Sequence, residues 1–271
     1  THRAEICIDK LYSPDGPAGR LGLIEFRGFE MPPHERMSVA QNLVLRALMA
    51  MFWEKPYQGG LQRFGTQLHD KYMLPEFVWQ DFQTVLADLS KHFRIDFDPA
   101  WFDAQLAFRF PKVGEVDVQG TKITLHNAIE PWPTMGEEGM IGGTTRFVDS
   151  SCERLQVTIE GLKPGIVPTV NGIALPMSQV GDKQVAGIRF RAWLPAHCLH
   201  PTIAPHAPLT IDLFDPRVSR SVGGCTYRVA HQGGLSHEKR PVNDLEAEGR
   251  RLARFDHFYT PGLMTMRRLP P

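Results

Sequence analysis

The chain has 271 residues, with Lys+Arg and Asp+Glu balanced at 30 each; it is long enough for a sizeable core or two domains, and no net field draws it to nucleic acid or an anionic membrane. Four cysteines (Cys7, Cys152, Cys198 and Cys225) lie apart with no C-x-x-C pair, which argues against a zinc knuckle or a disulfide scaffold and reads as reduced thiols. No apolar run nears the roughly 18 residues needed to span a bilayer, and no charged-then-apolar leader opens the chain, so a cytoplasmic location with neither membrane nor nucleic acid as partner is expected.

Glu5–Leu11 and Leu21–Phe29 alternate with a period of two and are predicted strands. The turn-rich Ser13–Gly19 joins them as a long-looped antiparallel hairpin. Because the chain starts at Thr1 with a strand close behind, a preceding segment is expected to have been removed. Met31-Pro-Pro33 halts extended pairing. Ser38 is the predicted cap of a helix over Val39–Trp53 whose apolar residues wrap most of its circumference, so burial is expected. After the breaker Lys55–Gly60, Gly65–Tyr72 is a short helix or structured loop. Pro75 then suits the first turn of a helix reaching Phe93, with a core stripe of Phe77, Val78, Phe82, Val85, Leu86 and Leu89.

Beyond Asp98-Pro99 the pattern predicts strands at Leu106–Phe110, Glu115–Val118, Lys122–His126, Leu155–Glu160, Ile166–Val170, Ala186–Leu194, Pro208–Phe214 and Cys225–Ala230. Short strands separated by turn residues indicate a β-sandwich or open barrel, and Asn171-Gly172 is the sharpest hairpin signal. A closing helix from Asp244 to about Phe255 carries an Asn243/Glu246 capping box, and the tail Arg267–Pro271 reads as frayed. The fold class is therefore α+β: an N-terminal hairpin with helices, then a mostly antiparallel β-sandwich. The expected sections are 1–110, 111–240 and a helix and tail at 241–271.

Leu23–Glu30 holds the main candidate site. On a strand, Glu25 and Arg27 share one face, as do Glu5, Cys7 and Asp9 on the partner. If the two faces coincide, three carboxylates gather beside a guanidinium, a surface suited to Mg²⁺ with nucleotide phosphates, Arg27 supplying a planar fork to an anionic oxygen. The competing reading is a solvated face with cross-strand ion pairs. His69 beside Asp70 is a candidate base or phosphate contact, or else a helix-junction residue. Gly136–Gly143 reads as a flexible connection, or an acidic lid over a cationic amine, since Glu137 and Glu138 oppose a phosphate. His197, His200, His206 and His231 with Cys198 and Cys225 match no common zinc spacing, and Cys225 with His231 is a weak thiol-nucleophile candidate.

The stretches Thr1–Gly16, Gly19–His34, Leu68–Pro75, Phe77–Asp81, Asp149–Gln156, His200–Ile203 and Gly223–Tyr227 resemble the C-terminal region of a large bacterial family. Its members join an N-terminal transglutaminase-like domain to an amidoligase region of unknown function, and the likeness spans essentially the whole chain. That family is similar to the glutamine synthetase and glutamate–cysteine ligase superfamily, which activates a carboxylate with Mg-ATP as an acyl phosphate and captures it with an amine. The superfamily's Glu-x-Arg-x-x-acid pattern is similar to Glu25-Phe-Arg27-Gly-Phe-Glu30. The resemblance implies Glu25 as metal ligand, with Glu5 and Asp9 beside it, Arg27 on a phosphate or substrate carboxylate, and Glu30 as a supporting acid; His69 and Asp70 join as catalytic or nucleotide contacts. It further implies part of a glutamine-synthetase-like sheet, Mg and ATP as cofactors, a peptide or amino-acid-derived substrate, and the N-terminal remainder of the polypeptide as partner. A ligase fragment of this kind is expected to be inactive alone. The rival expectation is a non-enzymatic peptide-binding or scaffolding module.

Overall fold

A computed structural model describes residues 6–8, 11, 21–29, 31–140, 143–205, 208–229 and 241–268. The chain divides into two compact units, Thr1–Pro56 with Gly139–Thr145, and Tyr57–Glu138 with Arg146–Pro271.

In the first unit, β1 (Ile6–Cys7) pairs antiparallel with β2 (Glu25–Phe26), Ile6 opposite Phe26 and Cys7 opposite Glu25. The expected hairpin is present, in two-residue strands among the described residues. Helix α1 (Glu35–Glu54) begins four residues before the predicted start. His34 is extended, follows Pro32-Pro33, and accepts the Arg36 N–H on Nδ1 at 3.1 Å, so it caps an end that Ser38 was expected to cap. Only Met37, Val44 and Ala47 of α1 are buried, a single stripe at seven- and three-residue spacing, while Val39 (67% exposed) and Trp53 (88%) face solvent. The expectation of a buried helix is thus corrected within this unit.

The second unit opens with a 3₁₀ turn at Gly65–Gln67 and α2 (Leu68–Met73), then α3 (Pro75–Phe93) with proline in its first turn. Leu86 and Leu89 bury the predicted stripe. Leu106–Phe110, expected as a strand, is corrected to α4 (Asp103–Arg109), entered through a 3₁₀ turn at Pro99–Phe102. Asp98 accepts the Ala100 N–H at 2.9 Å and Pro99 needs no N–H partner, so the dipeptide starts helical turns where it was expected to end them.

Among the described residues twelve strands follow: β3 (Lys112–Val118), β4 (Thr121–Ala128), β5 (Thr134–Met140), β6 (Gly143–Val148), β7 (Cys152–Glu160), β8 (Val167–Val170), β9 (Ile173–Ala174), β10 (Ser178–Val180), β11 (Lys183–Arg191), β12 (Leu209–Asp215), β13 (Arg220–Tyr227) and, after helix α5 (Asp244–Leu252), β14 (Phe255–Asp256). One antiparallel sheet runs β10-β11-β7-β4-β3 and the other β14-β13-β12-β8-β9. Alternation explains their common core: Ile123 and Leu125, Leu155, Val157 and Ile159, with Ile188 and Phe190, meet Ile211, Leu213, Cys225 and Tyr227. Phe190 and Tyr227 stack edge to face at 5.6 Å. The Asn171-Gly172 turn is confirmed, with φ of 48° and 77° and Val170 opposite Ile173.

The reverse face of the first sheet is also covered. Gln156 and Thr158 point away from the core yet are 0% and 3% exposed, because the start of α3 lies over them. Gln156 Oε1 accepts the Glu76 N–H at 3.0 Å, a helix-end donor with no intrahelical partner. Lys183 Nζ reaches Glu76 at 2.7 Å, and Leu74 packs with Val180 and Val185. Gly187 permits this: a Cβ there would lie 3.0 Å from Leu74 Cδ2.

Two further expectations are corrected. In Gly136–Gly143, expected as a connection or lid, the described residues belong to strands, Gly136–Met140 to β5 and Gly143 to β6, with Arg146 Nε on Glu137 at 2.6 Å; Ile141 and Gly142 lie outside the described residues. The tail at Arg267 is pinned: its N–H donates to Gly172 O and its carbonyl accepts from the Ala174 N–H, each at 2.8 Å. Residues 269–271 lie outside the described set. The α5 cap is as predicted at Asn243, which accepts the Glu246 N–H at 2.9 Å; the returning bond from Glu246 is made to the Val242 N–H at 2.6 Å. Among the described residues no helix is long and apolar enough to cross a membrane.

Candidate functional site

Cys7 and Glu25 are register partners, so their side chains leave the same face of the hairpin, and Arg27, two residues on, joins them. At the described positions, Cys7 and Glu25, the two predicted faces coincide. Arg27 Nη2 lies 3.0 Å from Glu25 Oε2, with the two side chains 32% and 36% exposed, while Cys7 is buried. The pair is a carboxylate aligned with a guanidinium at the edge of solvent. Such an arrangement presents a planar cationic fork whose orientation is fixed by an acid two residues away. Glu5, Asp9 and Glu30, expected beside it, lie outside the described residues.

On the opposite face, Phe26 joins Phe29 and Met31 as the apolar wall of a cavity of about 450 Å³ that Ser38, Gln41 and Asn42 of α1 close with polar groups. The cavity and the ion pair therefore lie on different faces of β2.

His69 and Asp70 occupy the first turn of α2 in the second unit, His69 exposed and Asp70 half-buried, with the Asp70 carbonyl accepting the Leu74 N–H. Next to them, Lys71 pairs with Asp81 at 3.0 Å. Glu25 and Arg27 belong to the first unit, His69 and Asp70 to the second.

Among the described residues no group of three His, Cys, Asp or Glu side chains is placed to hold a metal ion. His206 and His231 lie outside the described residues. Cys225 is fully buried in the sandwich core, and burial, followed by the charge of Asp212, pushes its thiol up to about 12. A thiol held that far from ionisation is no nucleophile, which removes the Cys225 expectation.

A further polar arrangement among the described residues carries no spacing signal in the sequence. It ties the start of β7 to the segment after β11. Asp149 is buried; its Oδ1 accepts the Ser151 N–H and its Oδ2 the Leu199 N–H, each at 3.0 Å. Burial opposes ionisation, but the Ser151 and Leu199 bonds and the Arg191 charge outweigh it and hold Asp149 below the usual carboxylate range. Arg191, opposite Cys152 in the ladder, donates Nη2 to His200 O at 2.7 Å and to Cys198 Sγ at 3.0 Å. Trp193 Nε1 donates to Ser150 O at 2.7 Å. This knot fixes a loop; its Asp149–Gln156 and His200–Ile203 segments are among those that carry the family resemblance, and that was the available signal. Nearby, buried Glu130 holds Arg154 at 2.9 Å and Arg189 at 2.7 Å.

A family model described as "Putative amidoligase enzyme" matches residues 1–270. No curated protein and no solved structure matches the chain.

Proposed function

Since the chain belongs to the family described as "Putative amidoligase enzyme", we propose that it is part of an ATP-dependent carboxylate–amine ligase and that Glu25 and Arg27 stand at its reacting end. The family match across nearly the whole chain carries the reading. The shared face of Cys7, Glu25 and Arg27 supports it. Arg27 directs its fork at an anionic oxygen of a phosphate or substrate carboxylate, and Glu25 sets the plane of that fork and offsets its charge. The described donors, one carboxylate beside one guanidinium, suit one edge of a Mg–nucleotide site, to which the proposal adds Glu5, Asp9 and Glu30; His69 and Asp70, in the second unit, are proposed separately as polar contacts for a nucleotide. ATP, when bound, would supply a phosphoryl group to the substrate carboxylate, with ADP released, so that the amine could displace inorganic phosphate from the activated acid and form the amide. The acid is a peptide or amino-acid derivative, and the partners are the other parts of the polypeptide, including a transglutaminase-like domain.

The test is ATP consumption by the full-length polypeptide over a panel of acids and amines, read as ADP and as product mass. The reading expects ADP formation that requires both acid and amine, with the amide as product, and its loss in Arg27→Ala at unchanged thermal midpoint. Amide formation unaffected in Arg27→Ala contradicts the assignment of that residue. The second reading, a non-enzymatic peptide-binding or scaffolding module, draws on the exposed Val39, Leu43 and Trp53 of α1, and is favoured if no acid–amine pair elicits ADP.

A further inference from the structure

One end of the sandwich holds a cavity of about 330 Å³ that the ligase reading does not use. Its floor comes from both sheets: Val118 at the end of β3, Leu213 of β12 and Val222 of β13, with Ile166 leading into β8. Leu213 is 1% exposed, so the floor is continuous with the core. A cavity at the lower end of the usual ligand-pocket range admits one small apolar group.

The rim has the opposite character. Lys163, on the segment between β7 and β8, is exposed, and its ammonium makes no hydrogen bond or ion pair among the described residues. Arg217, in the turn between β12 and β13, is fixed by Asp215: Nε lies 2.9 Å from Oδ1 and Nη2 2.7 Å from Oδ2, while the Arg217 backbone N–H also donates to Oδ1 at 2.9 Å. A guanidinium has five N–H donors, so a fork already oriented by two of them keeps others to offer. Lys163, Arg217 and Asp215 together leave one positive charge at the mouth of an apolar cavity.

We propose that this cavity binds a carboxylate carried next to an aliphatic group, the chemistry shared by an N-acylated aliphatic amino acid and the C-terminal residue of a polypeptide. The aliphatic group displaces water from Val118, Ile166, Leu213 and Val222, and the carboxylate meets Lys163 and Arg217. A phosphate carries more charge than the rim offsets and leaves the floor unfilled. An uncharged aliphatic group leaves Lys163 without a partner. The inference stands apart from the ligase reading, since it involves neither Glu25 nor Arg27.

The test is a titration of the methyl-labelled protein with N-acetyl-L-leucine, N-acetyl-L-leucinamide and an acetylated tetrapeptide ending in a free leucine carboxylate, read from the Ile166, Leu213 and Val222 methyl resonances. The acid is expected to shift these methyls saturably, with the amide weaker by about tenfold or more and Lys163→Glu weakening the acid to the same degree. Because Lys163 is exposed and pairs with no described residue, Lys163→Glu retains the wild-type thermal midpoint. Tighter binding of the tetrapeptide identifies a polypeptide terminus; equal binding identifies a small acid. Static methyls, or acid and amide binding alike, overturns the proposal.

Discussion

Replacing Asp149 with Asn tests the polar knot directly, because the two residues have the same shape. In the native protein each carboxylate oxygen accepts one backbone N–H, from Ser151 and from Leu199, at 3.0 Å. Asn offers one oxygen and turns an NH₂ towards the other donor, so one buried N–H loses a charged acceptor at a cost of about 1.5–3 kcal/mol. For a unit of this size that lowers the thermal midpoint by roughly 3–12 °C. Circular dichroism melts of wild type and Asp149→Asn across pH separate this cause from a general packing defect. The native carboxyl is held below its ordinary value, so its contribution is complete above the unfolded-state pKa of about 3.9 and is lost as pH falls through the native value. The gap between the two proteins should therefore be constant near neutrality and narrow in acid. A gap of the same size at every pH, or none at pH 7, refutes the reasoning.

Glu130→Ala strands the buried Arg154 guanidinium and should cost about 3–5 kcal/mol in denaturant unfolding; a loss within the error of a surface substitution contradicts that. Burial, ahead of the opposing charge of Glu76, lowers the pKa of His126. Its unfolded form therefore takes up protons first, and stability should fall as pH drops below about 6.5; His126→Leu should flatten that part of the pH–stability curve, and an unchanged slope would count against it. Cys225, held near 12, should resist iodoacetamide at pH 8 in the native protein and react after unfolding, as read by peptide mass; native labelling there contradicts its burial.

Local chemistry made much of the fold legible. Pro75 with its apolar stripe marked α3, Asn171-Gly172 marked a hairpin, and Asn243 with Glu246 marked the start of α5. Each depends on residues within a few positions of one another. Leu106–Phe110 misled because so short a run satisfies either period, and the Asp98 cap, which starts the 3₁₀ turn leading into α4, lies upstream. In Gly136–Gly143 the glycines and acids suggested a connection, while strand pairing and the Glu137–Arg146 bond make a ribbon. The candidate site divides in the same way. Glu25 and Arg27 meet because they are two residues apart, at β2 and just past its end, whereas Arg191 meets the start of β7 only through a ladder that sets it opposite Cys152. No spacing rule contains that register.

The ligase reading places Glu25 and Arg27 at the reacting end, and the most direct measurement is calorimetric titration of the full-length polypeptide with ATP in the presence and absence of Mg²⁺, repeated for Glu25→Gln. Glutamine keeps the size of the side chain and removes its charge. The account predicts Mg²⁺-dependent ATP binding in the wild type that Glu25→Gln abolishes, with the unfolding midpoint unmoved. ATP binding of equal strength in wild type and Glu25→Gln contradicts it.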